Sequence, residues 1–322
     1  MQMEVRVVLK ATGFIGLVAV GLPANLSVLL LFCHLHMLHS RLSPNDIILG
    51  NLASVNLVVL LSRGIPQTLV ALGMRRLFGD VSCKVDVFSY RLARSLSICI
   101  TALLGCYQCV AVAPSTPHWA KLKRWLPTHL PHAILLLYAI NILISSGSYL
   151  FTLAPLTNGS IPEYTLNLEF CIVVFPDSVA YMVNGVVYTL RDIVFVCVMV
   201  VAAMYMLLVL YRHRKQVEGL RGAGRASAGA SKAVLLLLCT YVTLFGLENT
   251  LWAYTLSVSR VPPAVSDARV FLASCYSTLS PVLIIATNRR LAEGFRGCLQ
   301  TKGAAKAPST QTESSTTHVT VA

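Results

Sequence analysis

Residues Cys83–Pro117 read CKVDVFSYRLARSLSICITALLGCYQCVAVAPSTP, and this stretch decides the fold. A cysteine and Asp86 lead into an apolar run long enough to cross a bilayer. Pro114 and Pro117 end it, because proline cannot continue a helix. Inside the run sit Arg91 and Arg94, roughly 12 and 17 Å from Cys83 at about 1.5 Å of rise per residue. An arginine near the middle of a span costs on the order of 2.5–3.5 kcal/mol on insertion scales, and it turns toward the protein interior, a partner or a wet cavity. Two arginines three residues apart share one helix face. The expectation is a central helix whose polar stripe lines a cavity, and the site is sought there.

The rest of the chain agrees with a helical membrane protein. Of 322 residues 56% are hydrophobic and only 12% charged, whereas a soluble domain carries about twice that charge fraction. The apolar content falls into seven long blocks, at about 8–33, 45–72, 83–113, 129–153, 185–211, 232–257 and 267–287. That is the pattern of spanning helices.

A net charge of +13 would suit nucleic acid, but its distribution excludes that partner and points to the lipid bilayer. Lys121, Lys123 and Arg124 lie in the third connection. Arg212, Arg214, Lys215, Arg221, Arg225 and Lys232 surround the fifth, and Arg289, Arg290 and Arg296 follow the last span. The opposite long loop, 154–184, holds Glu163, Glu169 and Asp177 and no Lys or Arg. The positive-inside rule then predicts an outside N-terminus and a cytosolic C-terminus. Leu291, Phe295 and Leu299 fall at i, i+4 and i+8, so 288–299 is expected to be a short amphipathic helix on the inner leaflet. Cys298 within it is a candidate for palmitoylation or an unmodified thiol, and the tail 300–322 is expected to be disordered.

Of ten cysteines, eight fall in spans or on the cytosolic side. Cys83 and Cys171 alone meet an oxidising compartment, so they are expected to pair and to tie the outer loop over the third span. Asn158-Gly159-Ser160 in that loop is a glycosylation sequon. Polar residues also interrupt the other spans: Asn25 beside Pro23, Asn51 and Asn56, Arg63 with Gly64 and Pro66, Arg191-Asp192, and Glu248-Asn249. Pro66 is expected to kink the second span. His34, His36 and His39 fit no helical metal-ligand pair, and neither a metal nor a cofactor is expected.

Seven spans, an outside N-terminus, a disulfide from the third span and an inner-leaflet helix resemble a G-protein-coupled receptor bundle. The finer motifs are similar to the vomeronasal type-1 receptors and to the fish olfactory receptors related to class A. The second span, Asn51-Leu52-Ala53 through Leu61-Ser62-Arg63-Gly64-Ile65-Pro66-Gln67-Thr68, looks like that family's. So do Tyr90-Arg91-Leu92-Ala93-Arg94-Ser95-Leu96-Ser97-Ile98-Cys99, Leu190-Arg191-Asp192 with Tyr211-Arg212-His213-Arg214-Lys215, and Ser277-Thr278-Leu279-Ser280-Pro281. Tyr107-Gln108-Cys109 stands where most rhodopsin-like receptors carry Asp-Arg-Tyr. The sixth span lacks proline and no Asn-Pro-x-x-Tyr closes the seventh, so the activation switch stays unidentified.

The resemblance implies a chemosensory receptor in sensory neurons, answering small-molecule pheromone or odorant cues through an inhibitory-class heterotrimeric G protein. A bitter-taste-like receptor also lacks the usual triplet, but the third- and seventh-span motifs decide against it. A small-solute transporter would show internal repeats or paired broken spans, and none is evident. No phosphate-binding glycine loop, His-Glu-x-x-His or nucleophile–base pair supports an enzyme. The ligand is expected among Arg63, Tyr90, Arg91, Arg94, Arg191, Asp192, Glu248 and Asn249, with Arg91 or Arg94 as the anchor. Four arginines face two carboxylates in that set, and Asp86 could absorb one more charge: either an internal ion-pair network accounts for them, or a small acidic or hydrogen-bond-accepting ligand completes the pairing, which is the functional expectation. The G protein is expected near Gln108, Arg212, Arg214 and Lys232.

Overall fold

Most of the apolar runs become helices longer than themselves. The computed structural model describes residues 2–39, 42–74, 77–114, 116–155, 164–217, 225–257 and 263–287. Its helices are α1 (Gln2–His39), α2 (Pro44–Val59), α3 (Ile65–Ala71), α4 (Asp80–Val112), α5 (Pro117–Phe151), α6 (Ser178–Val217), α7 (Arg225–Ser257) and α8 (Pro263–Thr287). Taking Pro44–Ala71 as one unit, seven spans among the described residues are long and apolar enough to cross a membrane. The fourth span, expected from residue 129, begins at Pro117, and the fifth, expected from 185, begins at Ser178. Hydropathy marks only the part that lipid requires to be apolar. Backbone hydrogen bonding continues beyond it through residues such as Lys121, Lys123 and Arg124, which are good helix formers. Asn158, residues 288–299 with Cys298, and the tail lie outside the described residues.

The second span, expected to kink at Pro66, is irregular in the turn before that proline. The irregularity is a π-helical turn at Leu60–Gly64 that separates α2 from α3. There the Ile65 N–H donates to the Leu60 carbonyl, five residues back. A π turn admits one extra residue and re-aims the side chains after it. Pro66 follows at the start of α3, where a missing N–H costs little. At the other end of the span Ser43 caps α2: its Oγ accepts from the Asp46 N–H at 3.2 Å, and Asp46 Oδ2 accepts from the Ser43 N–H.

α4 is central, packing against α2, α5, α6 and α7. Leu96, Ile98, Ile100 and Leu104 bury its length. Gly105 lets α6 and α7 approach, since a Cβ there would lie 3.1 Å from Leu238 and 3.3 Å from Ala202. Across the middle, Asn56 joins three helices. Its Oδ1 accepts from Ser97 at 2.7 Å and from Ser277 at 3.3 Å, and its Nδ2 donates to Ser280 at 2.7 Å. Asn25 donates to the Ser277 carbonyl at 2.9 Å and brings in α1. Outward faces are apolar, as with Val186, Leu190, Val194 and Val201 of α6, which is how a lipid-contacting surface reads.

The connection between α5 and α6, read from sequence only as a long loop, carries a small antiparallel sheet. Strands β1 (Thr152–Leu153), β2 (Thr165–Asn167) and β3 (Ile172–Val174) pair in the order β1-β3-β2, with Thr152 opposite Val173 and Leu166 opposite Val173 on the other side. Strands of two or three residues leave no periodicity to detect. The Cys83–Cys171 disulfide joins this sheet to the first turn of α4, with 5.6 Å between the Cα atoms.

Candidate functional site

A cavity of about 540 Å³ lies between the sheet and the helix bundle, within the range of small-molecule sites. Val87, Tyr90, Arg91, Arg94 and Ser95 of α4 enter it from one helix face, spaced by three and four residues. Tyr181, Asn184, Tyr188 and Arg191 of α6 enter from another with the same spacing. α7 supplies Glu248 and Asn249, α8 supplies Arg269 and Val270, and the π-helical turn supplies Arg63. Residues 165–169 form the cover.

The cover is fastened at several points besides the disulfide. Gln67 Nε2 donates to the Leu168 carbonyl at 3.4 Å, and Asp80 Oδ1 accepts from the Ala154 N–H at 2.8 Å. Lys10 of α1 makes ion pairs with Glu169 of the cover and, at 2.9 Å, with Asp267 of α8. Glu169 sits at φ 71°, and its N–H donates to Asn167 Oδ1 at 2.8 Å, which holds the tight turn.

The four sequence-predicted arginines do different things. Arg94 bridges two helices: Nη1 donates to Asp192 Oδ2 at 3.0 Å and Nη2 to Glu248 Oε2 at 2.7 Å. Arg191 donates through Nε and Nη2 to Asp192 Oδ1 at 3.0 and 2.6 Å. Asp192 is thus divided between its neighbour and α4. Arg91 has a neutral partner, the Asn184 amide oxygen at 3.1 Å, and its guanidinium lies 5.0 Å from the Tyr188 ring centre. The Arg191 guanidinium is also 5.0 Å from that ring. Arg63 is 4% exposed and lies 4.8 Å from the Tyr90 ring centre and 5.5 Å from that of Phe170. Its Nε has no hydrogen-bond partner among the described residues.

Asn249 lines the cavity while its amide donates to the Phe245 carbonyl of its own helix at 2.8 Å. Gln108 stands away from the cavity and is buried, donating to Asn45 Oδ1 at 2.8 Å. Here it is a tie between α4 and α2 instead of a presented side chain. Arg212 is exposed at the far end of α6, and the side chains of Arg214 and Lys232 lie outside the described set.

Sequence reasoning missed Asn184, Tyr188 and Arg269. An apolar-run arginine was the signal that singled out Arg91, and Arg269 offered the same. Asn184 and Tyr188 stand seven and three residues before Arg191, and an i, i+4, i+7 face search would have found them. Counting the lining, five arginines face Glu169, Asp192 and Glu248, an excess of two positive charges. Asp86, within electrostatic reach of Arg63 but outside the lining, lowers the excess to one if included. The arrangement can hold an anion or a strong hydrogen-bond acceptor through guanidinium groups flanked by aromatic rings.

Known proteins give the frame for this site. Residues 9–297 match the profile of the vomeronasal organ pheromone receptor family. Olfactory receptor class A-like protein 1 of Danio rerio is 42% identical over 292 residues, which cover 90% of this chain and 92% of that one. Vomeronasal type-1 receptor 45 of Mus musculus is 27% identical over 289 residues, covering 88% and 90%. Vomeronasal type-1 receptor 1 of Homo sapiens is 27% identical over 303 residues, covering 92% and 85%. With a family match across nearly the whole bundle and seven spans in place, the chain belongs to the vomeronasal organ pheromone receptor family, whose members are multi-pass G-protein-coupled receptors of the plasma membrane and not enzymes.

Proposed function

We propose that this pheromone or odorant receptor binds a small acidic, or strongly hydrogen-bond-accepting, molecule in the cavity beneath the sheet and thereby activates a heterotrimeric G protein. One observation carries the reading: Arg91 lines the cavity with a neutral amide as its hydrogen-bonded partner. A ligand carboxylate would give it a charge-assisted pair with two parallel hydrogen bonds, which fixes orientation as well as affinity. Arg94 is already engaged by Asp192 and Glu248, so of the two candidate anchors Arg91 is the one with capacity to spare. The sheet end faces outside, the basic end faces the cytosol, and the G protein is of the inhibitory class, in sensory neurons.

The test is a ligand screen in cells supplied with a promiscuous G protein. Carboxylates activate, and amines of the same size do not. R91A, at equal surface level, shifts carboxylate potency about tenfold or more, the worth of a charged hydrogen-bonded pair. Activation by amines in place of carboxylates overturns the acidic-ligand reading, and unchanged potency in R91A removes the anchor.

A further inference from the structure

Arg63 and Arg91 stand in separate surroundings on the cavity wall. Arg91, with Arg191, flanks Tyr188 on the side of α6. Arg63 lies between Tyr90 of α4 and Phe170 of the sheet connection, on the π-helical turn. A guanidinium at 4% exposure with an unpartnered Nε is an expensive thing to keep. Its ring contacts return part of that cost but accept none of its N–H groups.

We infer that the cavity holds two acceptor-binding stations, Arg91 with Arg191 at one and Arg63 at the other, and that its ligands are two-headed molecules. The class is a compact organic anion with a carboxylate or other oxyanion at one end and a second hydrogen-bond-accepting group at the other. The body between lies along Tyr90 and the cover. The π-helical turn is what makes this possible, since its extra residue brings Ser62, Arg63 and Gly64 into the interior together. This rests on the acidic-ligand reading above and adds the second station to it.

The experiment measures thermal stabilisation of the purified full-length receptor by matched probes: straight-chain α,ω-dicarboxylates and the monocarboxylates of equal chain length. A dicarboxylate of fitting length binds about tenfold or more tightly than its monocarboxylate partner. The advantage falls away for shorter chains that cannot reach both stations. R63Q abolishes the dicarboxylate's advantage over its monocarboxylate partner, whereas R91Q weakens both probes. Because R63Q alters a buried group, R63K serves beside it, keeping the charge and part of the advantage while losing the planar fork. If monocarboxylates bind through Arg91 and no dicarboxylate exceeds them, the second station is wrong and the acidic-ligand reading stands. If no carboxylate stabilises the receptor, both are wrong. If R63Q and R63K fold and retain the full advantage, Arg63 is not the second station.

Discussion

Arg94 and Arg91 are three residues apart on one helix, yet removing them has different consequences. Arg94 is a staple: it holds Asp192 of α6 and Glu248 of α7 at 3.0 and 2.7 Å, and the Asp192 and Glu248 side chains are 6% and 18% exposed. R94A takes a cation from half-buried Glu248 and leaves buried Asp192 with Arg191 alone, a loss on the order of 3 kcal/mol. R91A breaks one hydrogen bond to a neutral amide and costs about 1 kcal/mol. Thermal melting of the purified receptor is expected to rank R94A well below R91A. Adding E248Q to R94A recovers part of the loss, because the carboxylate that lost Arg94 is neutralised, while Asp192 keeps Arg191. Equal melting temperatures for R94A and R91A would mean that the bridge contributes nothing net.

At the scale of elements, the sheet between α5 and α6 matters because it makes the bundle's end into a cavity. Its strands are too short to be stable alone, and they are held from outside by the Cys83–Cys171 bond, Asp80, Gln67 and Lys10. The disulfide closes 88 residues of sequence. In a chain-entropy account a free loop of that size is worth at most about 4–5 kcal/mol, and less where helices stay inserted in the bilayer when the bond is lost. C83S and C171S are therefore expected to lower surface level or ligand response severalfold, with C99S and C197S near wild type. Peptide mapping checks the premise directly: recovery of Cys171 as a free thiol contradicts it.

On the scale of the whole molecule, a receptor must make an event at one end favour one conformation at the other. Between the cavity and the far end lie Tyr241 and Tyr276, with ring centres 4.6 Å apart, and the Thr101–Tyr276 hydrogen bond of 2.8 Å. The Asn56 junction of α2, α4 and α8 is close by in the same core. Just below Glu248 and Arg94 a gap of about 20 Å³, room for one water molecule, borders Tyr241, Tyr276 and Ser97. A ligand that disturbs the Arg94–Glu248 pair therefore acts on the part of α7 that bears on this core. In the proposed receptor, neutralising Arg212, Arg214 and Lys232 together lowers G-protein nucleotide exchange severalfold while ligand affinity and surface level hold. Unchanged exchange assigns those charges to topology and acidic lipid alone. Orientation has its own check: N158Q is expected to remove a glycosidase-sensitive mass, and the absence of any such mass from the parent protein counts against an outside sheet.

The seven spans were legible in the sequence because lipid demands apolar side chains over each crossing and internally satisfied backbone within it, so composition alone marks the helices. The Cys83–Cys171 disulfide was legible for a related reason, the compartment expected from the loop charges, which singled out two cysteines of ten. The polar residues of the site were also visible, since an arginine in an apolar run needs an explanation wherever it points. Which explanation applies was not visible. Arg94, Arg91 and Arg63 read alike along the chain. Only the packing of α6, α7 and the sheet around α4 gives the first two carboxylates, the second a neutral amide, and the third two aromatic rings. Side-chain partners in this bundle come from residues some 90 to 150 positions away, as Asn184 and Glu248 do, and no local periodicity records them. The π-helical turn that carries Arg63 inward and the strands that roof the cavity are likewise set by tertiary contacts, being too short for any hydrophobic period to declare.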